Sequence, residues 1–167
     1  MSEHDISRIR RDIIERTLDD ELESAVFHIV LQSLHGGRLV LKTIQSLPRG
    51  FGFVFATMLL EKEVDNGGFI QFFHNSSGKV FRLAMDGFRS FGCSDHVALL
   101  EKVAAQYARE RPALKAEWKK HSLEAISQTY KTSKLPAFDE QWYALPSASA
   151  PRIRYIRHNT AENFMPP

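Results

Sequence analysis

The chain predicts an all-α fold, a single compact domain of about seven to nine helices spanning residues 1–167. Three observations predict it. Apolar residues recur at three- and four-residue spacing along most of the chain. Glycine, proline and serine breaks separate these runs at short intervals. Runs alternating between apolar and polar residues, the mark of a strand, are few.

The elements follow in order. Ile6, Ile9, Ile13 and Ile14 set the face of a first helix from about Asp5. Thr17-Leu-Asp-Asp20 reads as a capping sequence, with a hydroxyl for the free N–H groups and acids at the positive helix end. A second helix therefore starts near Thr17, carries Leu22, Val26, Ile29 and Val30, and stops at Gly36-Gly37. Arg38 to Leu47 reads as a short helix, with Val40 and Thr43 leaving a strand open, and Pro48-Arg-Gly50 as a turn. Phe51 to about Val64 is apolar almost all round, as a central core helix is. Lys79 to Phe91 is helical with Val80, Leu83, Ala84 and Phe88 on one side, and Gly92 ends it. Ser94 opens another helix through Tyr107; Pro112 is expected to start a further one reaching about Tyr130. Lys131–Pro136 reads as a linker, Phe138–Tyr143 as a short helix with two aromatic anchors, Leu145–Pro151 as a loop and Arg152–His158 as the last helix, with a tail from Met165.

Composition bounds the function. With 167 residues, 43% apolar and 25% charged, the chain suits a globular domain with a substantial core. The formal net charge of +2 argues against bulk DNA or an anionic membrane as partner. The longest apolar stretch, Phe51–Leu60, is too short to span a bilayer, and the N-terminus lacks the pattern of a secretory signal. Cys93 stands alone, so no disulfide forms within the chain, and a reduced cytoplasmic setting is the simplest reading.

The stretch Glu63-Val-Asp-Asn-Gly-Gly-Phe-Ile-Gln-Phe-Phe-His-Asn-Ser-Ser-Gly78 is the most tightly specified part of the chain. Asn66-Gly67-Gly68 follows a long apolar helix and reads as a sharp corner, since Asn and Gly tolerate positive φ. Phe69 re-enters the core, and Ile70 to His74 form a very short helix on which Phe72 and Phe73 flank the polar pair Gln71 and Asn75. Gln71 and Asn75 lie four apart and share a face of that helix. Asn75-Ser-Ser-Gly78 is a second turn, with Asn or Ser placed to cap the next helix. The structural reading is that Gln71 and Asn75 satisfy backbone groups left unpaired at the two corners. The functional reading is that Glu63, Asn66, Gln71, His74 and Asn75 line a pocket or a partner-binding surface, while Gly67, Gly68, Phe69, Phe72, Phe73 and Gly78 hold the frame.

This run resembles the signature of a bacterial family, the DNA mimic protein 19 family: acid-Val-x-Asn-Gly-Gly-Phe, then Gln, an aromatic pair and Asn-Ser-Ser-Gly. Fainter echoes are Phe88-x-x-Phe-Gly92, Phe138-Asp-x-x-Trp-Tyr143, and Tyr155-Ile-Arg157 with Glu162-Asn-Phe164. The resemblance covers about Arg49 to Phe164. It implies an all-helical fold and a protein-binding role, since the member that gives the family its name imitates DNA and occupies a transcription factor. Imitating DNA needs carboxylates spaced like phosphates. Here 22 Lys+Arg stand against 20 Asp+Glu, and the acid-rich stretch Asp12–Glu23 reads as a solvated helix face.

Other chemistry is sparse in the sequence. The seven histidines form no His-x-x-x-His pair, so no metal or cofactor is expected. His28 and His35 lie two helical turns apart, and His74 shares the motif with Glu63, the one pairing that suggests a general base. No phosphate-cradling loop ends in Lys-Ser/Thr, and no Gly-x-Ser-x-Gly elbow occurs. Arg109, Arg111, Lys115, Lys119 and Lys120, and Arg152, Arg154 and Arg157, read as solvated rims. The expectation is a non-enzymatic, cytoplasmic protein-interaction domain with a regulator among its candidate partners, whether monomer or dimer. A small-molecule or hydrolytic pocket at the motif is the first alternative, and nucleic-acid binding through the basic C-terminal half the second.

Overall fold

In the computed structural model, residues 11–34, 39–76 and 78–165 are described. They are all-α: no strand occurs among them. The chain divides into two packing units.

The first unit takes residues up to Leu59, Lys79–Cys93 and the chain from Ser147. It holds α1 (described over 11–16), α2 (Asp19–Ser33), α3 (Leu41–Gln45), the start of α4 (Arg49–Ser76), α5 (Phe81–Ser90), α9 (Ser149–His158) and α10 (Thr160–Asn163). The break near Thr17 and the acids of the first α2 turn are as the sequence suggests. The cap is not. Leu18 occupies the N-cap position and no side chain bonds the free N–H groups; the Thr17 carbonyl instead accepts a bond from Arg157 Nη2 at 2.6 Å. The expected stop at Gly36-Gly37, like Ile6, Ile9 and His35, lies outside the described residues.

The core of this unit is built on α4. Phe51, Val54, Phe55 and Ala56 are fully buried. Phe55 stacks on Phe27 of α2, and Phe51 meets Phe164 edge to face. A Cβ at Gly50 would lie 2.6 Å from the Phe164 ring, so this approach requires glycine.

Two basic residues are not a solvated rim. Arg152 is 1% exposed; its Nη1 donates to Glu23 Oε2 at 2.9 Å and its guanidinium lies over Phe91. Arg157 donates to Asp19 Oδ1 and to the carbonyls of Ile14 and Thr17. The solvated-face reading of Asp12–Glu23 holds for Glu15, Asp20 and Glu21, which are exposed, whereas Asp19 and Glu23 tie α2 to α9. Arg154 alone of that basic trio stays exposed.

The second unit takes Leu60–Gly78 and Ser94–Pro146. It holds the end of α4, then α6 (Ser94–Trp118), α7 (Leu123–Thr132), a 3-10 turn (Leu135–Phe138) and α8 (Asp139–Tyr143). Pro112 does not start a helix; α6 runs through it. Proline removes one bond to the carbonyl four residues back, here Ala108. Ala108 and Pro112 are both exposed, so that carbonyl faces solvent. The real break follows Trp118, where His121 takes φ 51° and Ser122 caps α7, its Oγ accepting from Ala125 N. The expected linker is also more ordered than its composition suggests. Glu110 of α6 accepts from Lys134 N at 2.9 Å and from the Ser133 hydroxyl, which fixes the end of α7.

Candidate functional site

The signature forms the last turns of α4 and lies within the second unit. The helix breaks at Gly67 and Gly68. Gly67 takes extended backbone (φ −166°), and Gly68 takes the left-handed region (φ +70°). Asn66 itself stays helical, so one residue rather than three needs positive φ. Gly78 also has positive φ (71°), which makes the second turn.

A break in a helix leaves backbone groups without partners. Three side chains from later in the chain meet them, and a fourth bonds a side chain beside them. Tyr143 donates to the Val64 carbonyl at 2.9 Å, and Tyr130 donates to the Gly67 carbonyl at 2.8 Å. Asp139 Oδ1 accepts from Phe69 N at 3.0 Å. Trp142 Nε1 donates to Asp65 Oδ1 at 3.3 Å, and its ring meets Phe69 edge to face. The other Asp139 oxygen fills the volume beside Gly68: a Cβ there would lie 2.2 Å from it.

The motif amides do something other than expected. Gln71 and Asn75 do not satisfy the corner backbone. Both donate to one oxygen, Glu63 Oε2, at 2.9 and 2.7 Å. They span the break by holding Glu63, on the helix before it, to the face after it. His74 does not join them: its ring meets Trp118 edge to face and its Nδ1 lies 3.1 Å from Asn75 Oδ1. Among the described residues its link to Glu63 runs through the Asn75 side chain, and no direct His74–Glu63 bond forms the general-base pairing. Asn66 is exposed and has no hydrogen-bond partner among the described residues. Phe69, Phe72 and Phe73 are buried, and Phe73 stacks flat on Tyr107 at 3.7 Å. Ser76, not Asn75, makes the second turn, accepting from Gly78 N and donating to the Phe72 carbonyl. Val80 takes the N-cap position of α5 without a side-chain cap bond.

Electrostatics at the corner follow from this geometry. Burial raises the Asp139 pKa, and the Phe69 N–H opposes the rise. Burial and the Asp139 charge both push the Tyr130 and Tyr143 hydroxyls up. Both tyrosines thus stay protonated donors at neutral pH. Among the described residues no group of three or more His, Cys, Asp or Glu side chains is placed to hold a metal ion, and no helix is long and apolar enough to cross a membrane.

Tyr130, Asp139, Trp142 and Tyr143 were not singled out as site residues from the sequence. Their signal was Phe138-Asp-x-x-Trp-Tyr143, which appeared only as a faint echo of the signature. The structure defines the class as an all-α domain with a diglycine kink locked by an Asp-x-x-Trp-Tyr helix. The sequence model for DMP19-like proteins matches residues 45–159, and the chain belongs to that family. No curated protein and no solved structure matches it.

Proposed function

We propose that this protein is a non-catalytic interaction domain that docks a protein partner on the locked corner of the second unit. One observation carries the reading. Tyr130 and Tyr143 are 38% and 54% exposed, yet both hydroxyls are bonded to corner carbonyls. Two aromatic rings are thus held at the surface before any partner arrives. Tyrosine is enriched in protein interfaces, and a ring already ordered loses little entropy on binding. Asp65 and Glu140 are exposed beside them and Asp139 is half-buried. A partner that presents cationic and apolar side chains fits this chemistry. Family membership supports a protein-binding role, and the balance of 22 basic to 20 acidic residues weighs against imitation of a DNA backbone.

The alternatives have less behind them. Gln71 and Asn75 are engaged by Glu63, which weighs against a reaction at the motif. Arg152 and Arg157 are engaged within the fold, which weighs against nucleic-acid binding there.

The test is affinity capture of the tagged full chain from its native cell, beside a Glu140→Lys, Gln141→Arg variant. The expected result is a stoichiometric protein that co-purifies with the natural chain and is lost with the variant, at unchanged thermal unfolding. Failure to recover any stoichiometric protein, or equal recovery with the variant, overturns the reading.

A further inference from the structure

We propose that Asn66 is a self-modification site, which converts through a cyclic imide to aspartate and isoaspartate. The chain has four asparagines. Three are held: Asn75 Nδ2 donates to Glu63, Asn159 Nδ2 donates to the Tyr155 carbonyl, and Asn163 Oδ1 accepts from Arg49 Nε. They are followed by Ser76, Thr160 and Phe164, whose side chains crowd the backbone nitrogen. Asn66 differs on each count. Like Asn75 it is exposed, but its amide has no partner among the described residues, and glycine follows it. The backbone leaves helical geometry at that glycine, so continuing helix does not hold the 66–67 peptide on its C-terminal side.

The chemistry needs only water. The Gly67 backbone nitrogen attacks Asn66 Cγ. A bond forms between them as the bond from Cγ to Nδ2 breaks, and the Gly67 proton departs with that nitrogen as ammonia. Water then opens either imide carbonyl. Cleavage on the side-chain arm returns an ordinary aspartate; cleavage on the main-chain arm routes the backbone through the side chain as isoaspartate. One water enters, one ammonia leaves, and nothing is oxidised or reduced. Asparagine is among the residues that limit chemical lifetime in proteins.

The position gives the reaction a consequence. Isoaspartate inserts one extra carbon into the main chain between the Val64 and Gly67 carbonyls, the two groups that Tyr143 and Tyr130 hold. It also adds a carboxylate next to Asp65. Asp86-Gly87 offers an internal comparison, since aspartyl-glycine can cyclise the same way. There Asp86 accepts from Arg89, and Gly87 is buried in α5 against Thr57 and Phe53.

The experiment ages the folded full-length protein in mildly alkaline buffer. It follows ammonia release and maps isoaspartate by peptide mass spectrometry and enzymatic methylation. The expected result is conversion at residue 66, with Asn75, Asn159, Asn163 and Asp86 unchanged and no ammonia from Asn66→Gln. If that variant does not fold, Asn66→Asp serves instead, giving isoaspartate at the same residue without ammonia. Absence of conversion at residue 66 overturns the proposal. So does a rate in the folded chain an order of magnitude below that of the same chain in urea, because the corner would then shield the amide.

Discussion

A side chain at position 68 meets two obstacles at once. The backbone there has φ +70°, which costs an L-residue energy, and Asp139 already fills the space. Gly68→Ala should therefore lower stability by about 1–3 kcal/mol in thermal unfolding. Gly67→Ala should cost less, since its φ of −166° lies outside the left-handed region and the obstacle is the Gln71 side chain, whose shift would loosen the bond to Glu63. Asp139 allows a sharper test. Its pKa is raised in the folded state, so its ionisation opposes folding. Stability from this group is complete below the ordinary carboxylate range and falls as pH rises through the raised value. Asp139→Asn should remove that slope while its amide oxygen still accepts from Phe69 N–H. Asp139→Ala should lose about 1–3 kcal/mol by stranding that N–H; pH-dependent thermal melts of the three chains separate the cases. At this scale the sequence was half legible. Gln71 and Asn75 share a face because they lie four apart, and that needs only helical period. Their partner Glu63 is within reach only because the kink folds the chain back. Asp139 is far along the chain, and no local pattern links it to Gly68.

Helix existence could be read from apolar spacing, and helix ends could not. Pro112 reads as a start because proline suits a first turn, yet its missing bond falls on an exposed face and α6 continues. Ser122-Leu-Glu-Ala carried a true cap signal that Pro112 overshadowed. Arg152 and Arg157 were misread because spacing on one helix ignores what packs against it. Arg152→Ala should destabilise by about 3–5 kcal/mol, because Glu23 is left without its cation, whereas Arg152→Met combined with Glu23→Leu should cost distinctly less. Chemical denaturation of both variants measures the difference. Glu110 governs the end of α7. Partial burial pushes its pKa up, but bonds from Ser133, Lys134 N and Gln106 outweigh that and hold it below the ordinary value. Its contribution is present above the ordinary carboxylate range and is lost as pH falls through the lowered value. Glu110→Gln should speed hydrogen exchange at the Lys134 amide at neutral pH and leave exchange at the glycine kink unchanged.

Charge is a property of the whole chain, and here basic and acidic residues nearly balance. With a formal net charge of +2, the full-length protein should pass an anion exchanger unretained at neutral pH and low salt. Firm retention would reveal a segregated negative face that the totals conceal. The all-α class was legible throughout, because periodicity is a sum over many residues and tolerates local error. What the signature does was not legible, because half of the corner lies in a second segment far along the chain. That division has a consequence for descent. Gly68 and the Asp139 carboxylate occupy one shared volume, so a lineage cannot enlarge the first without shortening the second. Relatives carrying a side chain at position 68 are therefore expected to have a smaller residue than aspartate at 139, and substitution at either place should prove contingent on the other.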